Sequence, residues 1–206
     1  MNTKQILLGF LPWIAFSAIS TRVGPGAVGM AALVALVLAA ALVARTVARG
    51  ESVKLIEITA VATFAVMGAW ALVEPASDAF LAYYGRGVAA LVLAVVIALS
   101  LAGTSFTEQY ARESTPREYW DSPRFHAINR RISAAWAGAV AVMGVGHLLS
   151  GVIAANAAQY GGYLAFDPFD LVLNWLVPGL LILLTVRYTR RVVAESTGHT
   201  AAQVTR

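Results

Sequence analysis

The sequence predicts an all-α fold, a polytopic membrane helix bundle with six transmembrane helices, the first one short, and both termini in the cytoplasm. Three observations carry this expectation. Hydrophobic residues make up 59% of the 206 and charged residues only 13%, with a mean hydropathy of +0.71, whereas soluble domains carry roughly a quarter charged residues. The apolar residues fall in six runs, Ile6–Ser20, Ala27–Ala44, Leu55–Val73, Phe80–Gly103, Ile132–Asn156 and Leu171–Val186, and about 20 such residues cross a hydrocarbon core of about 30 Å. Backbone groups in lipid must bond internally, so each run is read as a helix. Basic residues gather on alternate connections, which sets the orientation by the positive-inside rule.

The first run reaches only about 22 Å at about 1.5 Å per residue. Lys4, the apolar stretch and the small residues Ala18 and Ser20 also fit a signal peptide, but Pro12 and Trp13 interrupt its apolar core and favour a retained helix. Arg45, Arg49 and Lys54 follow the second run, Arg112 to Arg131 precede the fifth, and Arg187, Arg190 and Arg191 follow the sixth. Together with Lys4 they define one side. Glu74, Asp78, Asp167 and Asp170 define the other, with Arg22 as its one loop cation. Pro178-Gly179 is expected to bend the last helix, because Pro removes a backbone donor. Residues 1–191 are read as a single membrane domain and 192–206 as a polar cytoplasmic tail.

The 104–131 connection is expected to be a helical segment lying on the membrane interface. Thr115-Pro116-Arg117-Glu118 reads as a capping box and Ser122-Pro123 as a second helix start. Glu108 with Arg112, and Glu113 with Arg117, stand four residues apart and can pair on an exposed face. Phe106, Tyr110, Tyr119 and Trp120, interleaved with Arg112, Arg117 and Arg124, form a candidate surface for lipid headgroups or a partner protein. Ala35 with Ala39, Ala134 with Gly138, and Gly146 with Ser150 have the small-xxx-small spacing that lets helices approach, within one chain or in a homo-oligomer.

Several chemistries are excluded. The chain has no cysteine, which removes disulfides, thiolate nucleophiles and Cys-ligated metals. Lys4 and Lys54 both lie at the surface, so no mid-membrane lysine offers a retinal Schiff base. Only His147 lies within a run, so one protomer has no bis-histidine haem site. No nucleotide-binding, zinc-protease, calcium-loop or paired-carboxylate motif is present. His147 and Ser150 are i,i+3 neighbours, a weak signal for a Ser–His dyad, since a helical serine usually bonds its own helix. The chain thus has no recognisable enzyme signature, and no cofactor or metal is implied. Net charge +4 follows from the positive-inside rule and needs no nucleic acid to explain it. Two Lys against thirteen Arg, with abundant Ala and Val, point to a GC-rich bacterial genome and hence to an inner membrane.

Ionisable groups at membrane depth are functional candidates by default. Glu57 sits in the first turn of the third run, within reach of Lys54. Arg86 and His147 both fall about 9 to 14 Å below the acidic edge, and Asn174 about 5 Å below it. If they face one another they form a pocket for an anionic headgroup or a proton-carrying substrate, with Tyr83 and Tyr84 adding hydroxyls.

Phe10-Leu11-Pro12 in a short first helix, the Lys54 to Glu57 start of the third, and Trp136 followed by Met143-Gly144 and His147 resemble the bacterial intracellular septation protein A family of inner-membrane proteins. The resemblance implies a non-enzymatic role in division or envelope maintenance, through contacts with other membrane proteins. A small transporter or lipid-binding protein is the alternative expectation.

Overall fold

The computed structural model describes residues 3–20, 27–159 and 168–204. Arg22, Asp167 and the side chain of Lys4, all used in the orientation argument, lie outside the described part. Every regular element in the described residues is helical. Helices α1 (Thr3–Gly9) and α2 (Leu11–Ser20) are followed by α3 (Val28–Ala48), α4 (Leu55–Val73), α5 (Ser77–Leu99), α6 (Phe106–Ala111) and α7 (Pro123–Gln159). Then α8 (Pro168–Leu171), a π-helical turn (Val172–Leu176) and α9 (Val177–Val204) follow one another without a gap. Among the described residues, five stretches are long and apolar enough to cross a membrane: Val28–Ala48, Leu55–Val73, Ser77–Ala102, Pro123–Gln159 and Pro168–Ser196.

The first expected span is broken in two. The break falls at Phe10, between α1 and α2, and the ten residues of α2 extend only about 15 Å. Helix α2 nevertheless packs chiefly on α3, and side chains of the pair climb along successive turns of α4. A Cβ on Gly9 would press on Ile56 at the start of α4, Trp13 and Phe16 meet Phe64 at ring-centroid distances of 5.0 and 5.2 Å, and Phe10 stacks on Trp136 of α7 at 5.3 Å. Such ring pairs each contribute about 0.5–1.5 kcal/mol beyond burial. The N-terminal segment is thus held in the core, where Ile6, Trp13 and Phe16 are buried.

The most extensive helix contact among the described residues joins α5 and α7, and glycines permit close approach there. A Cβ on Gly87 would collide with Leu148, one on Gly144 with Leu91, and one on Gly151 with the Tyr83 carbonyl. Close approach maximises dispersion contact where lipid offers no hydrophobic gain. Gly144 and Gly151 are spaced by seven and share a helix face, so a search for four-residue spacing overlooks them. Ala134 and Gly138 are exposed, with nothing near a Cβ at Gly138, because that face of α7 points away from the bundle, so this pair joins no helices within one chain. Ala35 with Ala39, and Gly146 with Ser150, are buried.

At the basic end, the 104–131 connection is ordered and folds inward. Gln109 Oε1 accepts from the Leu55 N–H at 2.8 Å, capping α4. Glu57 does the same for the Lys54 N–H at 3.0 Å and accepts from Thr46 Oγ1 at 3.0 Å. The Lys54 ammonium pairs with Glu113 rather than with Glu57, so the expected Glu113–Arg117 pair gives way to a tertiary one. Thr107 bonds Ser133 Oγ and the Asn129 carbonyl, each at 2.9 Å. Glu108, 1% exposed, pairs with Arg112 at 2.7 Å and His126 at 3.2 Å. The capping box at Thr115 yields only the single 3₁₀ turn Arg117–Tyr119, whereas Ser122 Oγ accepts from the Phe125 N–H at 3.2 Å at the start of α7.

The 37 residues of α7 extend about 55 Å, so its first turns are the end of that connection. The expected boundary at residue 191 is not a break, since α9 continues through it and Val192 is buried. Near Pro178 the irregularity lies one turn earlier than expected. The Val177 N–H bonds the Val172 carbonyl, five residues back, a register change that accommodates the missing N–H of Pro178.

Candidate functional site

Arg86 is buried at 9% exposure on the inward face of α5. A guanidinium carries five N–H donors and stays charged, so burial demands acceptors. Its Nη2 reaches Asp170 Oδ1 at a long 3.4 Å, and the Asp170 side chain is 36% exposed. Its Nη1 is buried with no partner. The compensation is therefore one-sided, with a buried cation facing a partly screened anion.

Asn174, in the π-helical turn, is the hub of the polar groups around it. Its Nδ2 donates to Ser150 Oγ at 2.8 Å and to Asp170 Oδ1 at 2.6 Å. Its Oδ1 therefore faces His147 Nδ1, at 2.5 Å, so the imidazole donates to it through Nδ1. Ser150 and His147 each bond Asn174, an arrangement that orients side chains rather than activating the serine. Asp170 precedes Asn174 by four residues and so shares its helix face; that spacing was the available sequence signal for Asp170.

Arg86, His147 and Asn174 all line one cavity of about 240 Å³. For scale, an engineered apolar cavity of about 150 Å³ holds benzene. Its other walls are mostly apolar, from Phe10, Trp13 and Phe16 of the N-terminal segment, Leu93 of α5, Met143 of α7, and Trp175 and Ile182 of the last helix. From Arg86 to Leu93 along α5 it extends about 10 Å toward the basic end. Ile14 of α2 and Trp175 of the last helix line the cavity and are themselves exposed, so the cavity wall is left unsealed between α2 and the last helix, the least covered of the five long ones. Trp13 contributes a second buried donor without a partner, its indole Nε1. Sequence reasoning overlooked Trp13 because a lone indole in a short helix reads as core.

Tyr83 and Tyr84 are corrected, since neither lines the cavity. The cavity extends from Arg86 away from them, and their rings pack on each other at 6.2 Å and, for Tyr84, on Phe80 at 5.1 Å. Phe106 and Tyr110 are corrected as well. Both are buried, Phe106 edge-on to Tyr110 and to Trp136. The surface that remains consists of Tyr119, Arg117 and Arg124, which are exposed, beside Trp120. Arg112 and Arg117 stack against the Trp120 ring at 5.1 and 5.5 Å, and Arg124 bonds the Ser196 carbonyl at 2.7 Å.

No group of His, Asp and Glu among the described residues is arranged to hold a metal. Burial, and then the negative charges of Glu57 and Glu113, push the Tyr110 hydroxyl far above the usual tyrosine range. Compared with protein-family models, curated proteins and solved structures, the chain matches none.

Proposed function

We propose that this chain is a multi-pass protein of a bacterial inner membrane, crossing it six times with both termini cytoplasmic, and that it binds a lipid-like ligand in the cavity beside Arg86. One observation carries the reading: an apolar cavity of about 240 Å³ is lined by Arg86, whose buried guanidinium has an unpartnered nitrogen. Apolar walls with a few convergent polar groups are the usual composition of ligand sites, and a charge at this depth is costly unless it serves a purpose. The unsealed wall between α2 and the last helix gives acyl chains a route from the bilayer, which suits a lipid-binding protein or a small transporter. For the N-terminal segment, the climb of α1 and α2 along α4 supports counting it as a crossing, and the basic end is the cytoplasmic one by the positive-inside rule.

The test is photolabelling in nanodiscs that contain a diazirine fatty acid. Labels should concentrate on Trp13, Met143 and Trp175. Labels spread evenly over outward-facing residues such as Val66 and Leu183 would overturn the reading.

A second reading, a non-enzymatic envelope or division protein akin to the septation family, is favoured by the ordered connection, whose Arg112–Trp120–Arg117 stack holds Tyr119 outward. Phe10, Met143 and His147, three of the residues that carry the family resemblance, line the cavity. The two readings therefore share a site.

A further inference from the structure

We infer that Asp170 is a resident counter-anion for Arg86, and that the cavity's ligand is a single-chain amphiphile whose anionic head takes the place of Asp170. This rests on the proposed lipid-binding cavity and adds the charge of the head, the number of chains and the way the site is kept when empty.

The sign of the head follows from the donors. Arg86 Nη1 and Trp13 Nε1, both buried and unpartnered, belong to residues that line the cavity. A guanidinium and an indole N–H are donors only. A carboxylate or phosphate monoester supplies several acceptor oxygens at once, and its hydrogen bonds to a guanidinium are charge-assisted. A cationic head would face Arg86 directly and be repelled. A neutral head such as an alcohol would leave the guanidinium charge as poorly compensated as it is now.

The number of chains follows from size. The cavity extends about 10 Å beyond Arg86, so it accepts a head and the first part of one chain, while the remainder leaves by the opening between Ile14 and Trp175.

Asp170 can be displaced because it does not depend on Arg86. Its bond to Arg86 is the longer of its two, 3.4 Å against 2.6 Å to Asn174 Nδ2, and its side chain is 36% exposed, so it keeps other partners when the guanidinium turns to a ligand. Asn174 stays bonded to His147 and Ser150 throughout, which keeps the cavity wall fixed while the charge partner changes. Removing the resident anion and removing the cation should therefore affect binding in opposite directions.

The experiment uses the full chain in phosphatidylcholine nanodiscs at alkaline pH, where a fatty acid is ionised. Two probes of equal length, dibromostearate and dibromostearyl alcohol, quench tryptophan fluorescence, and the specific signal is the part lost in a Trp13→Phe, Trp175→Phe variant. Wild type should saturate with dibromostearate at a concentration about tenfold below that for the alcohol. Asp170→Asn should lower the dibromostearate half-saturation several-fold and leave the alcohol unchanged, and Arg86→Gln should abolish the preference. Dibromo-phosphatidic acid, with two chains and a phosphate, should bind more weakly than dibromostearate.

Equal half-saturation for dibromostearate and the alcohol, or weaker dibromostearate binding by Asp170→Asn, would overturn the inference while leaving a lipid-binding cavity in place. Phosphatidic acid binding as tightly as dibromostearate would overturn the single-chain assignment. Specific quenching by none of the probes would overturn the proposed function as well.

Discussion

The two ends of the bundle treat buried charge differently. At the basic end, Glu108 is buried between Arg112 and His126, and Lys54 is joined to Glu113. Donors and acceptors of α6 are tied to α4 and α7 by Gln109 and Thr107. Three polar atoms there lack partners, Tyr110 Oη, Ser105 Oγ and Arg112 Nε, but each buried charge has a close countercharge. Toward the acidic end, Arg86 has a long bond to a partly exposed carboxylate and an empty Nη1 beside a cavity. Matched charge holds a connection in place. Unmatched charge next to space is what a binding site requires before its ligand arrives.

If that contrast is right, the largest stability loss comes from the basic end. Arg112→Met leaves Glu108 buried with His126 alone, and should lower unfolding free energy in detergent micelles by roughly 2–3 kcal/mol. A change below about 1 kcal/mol would mean the pair is structurally idle and would remove half of the comparison.

A smaller effect concerns Tyr110. Its hydroxyl is held neutral in the fold, while the unfolded chain releases that proton near pH 10. Its folded value is raised, so the stability it contributes is present below about pH 10 and lost as pH rises above it. Tyr110→Phe removes a hydroxyl with no partner, so it should change stability at neutral pH by at most about 1 kcal/mol and flatten the alkaline fall. An unchanged alkaline slope in the variant would show that the hydroxyl titrates freely.

Much of this arrangement was legible in the sequence, for definite reasons. Uncharged runs identify long helices because lipid tolerates nothing else, and counting at 1.5 Å per residue put Arg86, His147 and Asn174 at related depths. Depth says nothing about rotation, so only the fold could tell that Arg86 faces inward and that Tyr83 and Tyr84 do not face the cavity. The Glu108–Arg112 spacing predicts the pair but not its burial, because i,i+4 pairing is the same on either face of a helix. Proximity in sequence favours a Glu113–Arg117 pair, but Lys54, 59 residues away, takes Glu113 instead. Phe106 and Tyr110 looked interfacial because aromatic residues beside arginines suit a headgroup layer and a protein core equally well.

The central claim is that the Arg86 region exists for a ligand and not for folding. The most direct measurement follows thermal unfolding and fatty-acid photolabelling of Arg86→Met side by side with wild type, in the same nanodiscs. Because the substitution removes a poorly compensated buried charge, unfolding free energy should stay within about 1 kcal/mol of wild type, while labelling of Met143 and Trp175 at a subsaturating fatty-acid concentration falls several-fold. A stability loss as large as that of Arg112→Met, with labelling of the cavity residues retained, would contradict the account and make Arg86 a structural residue.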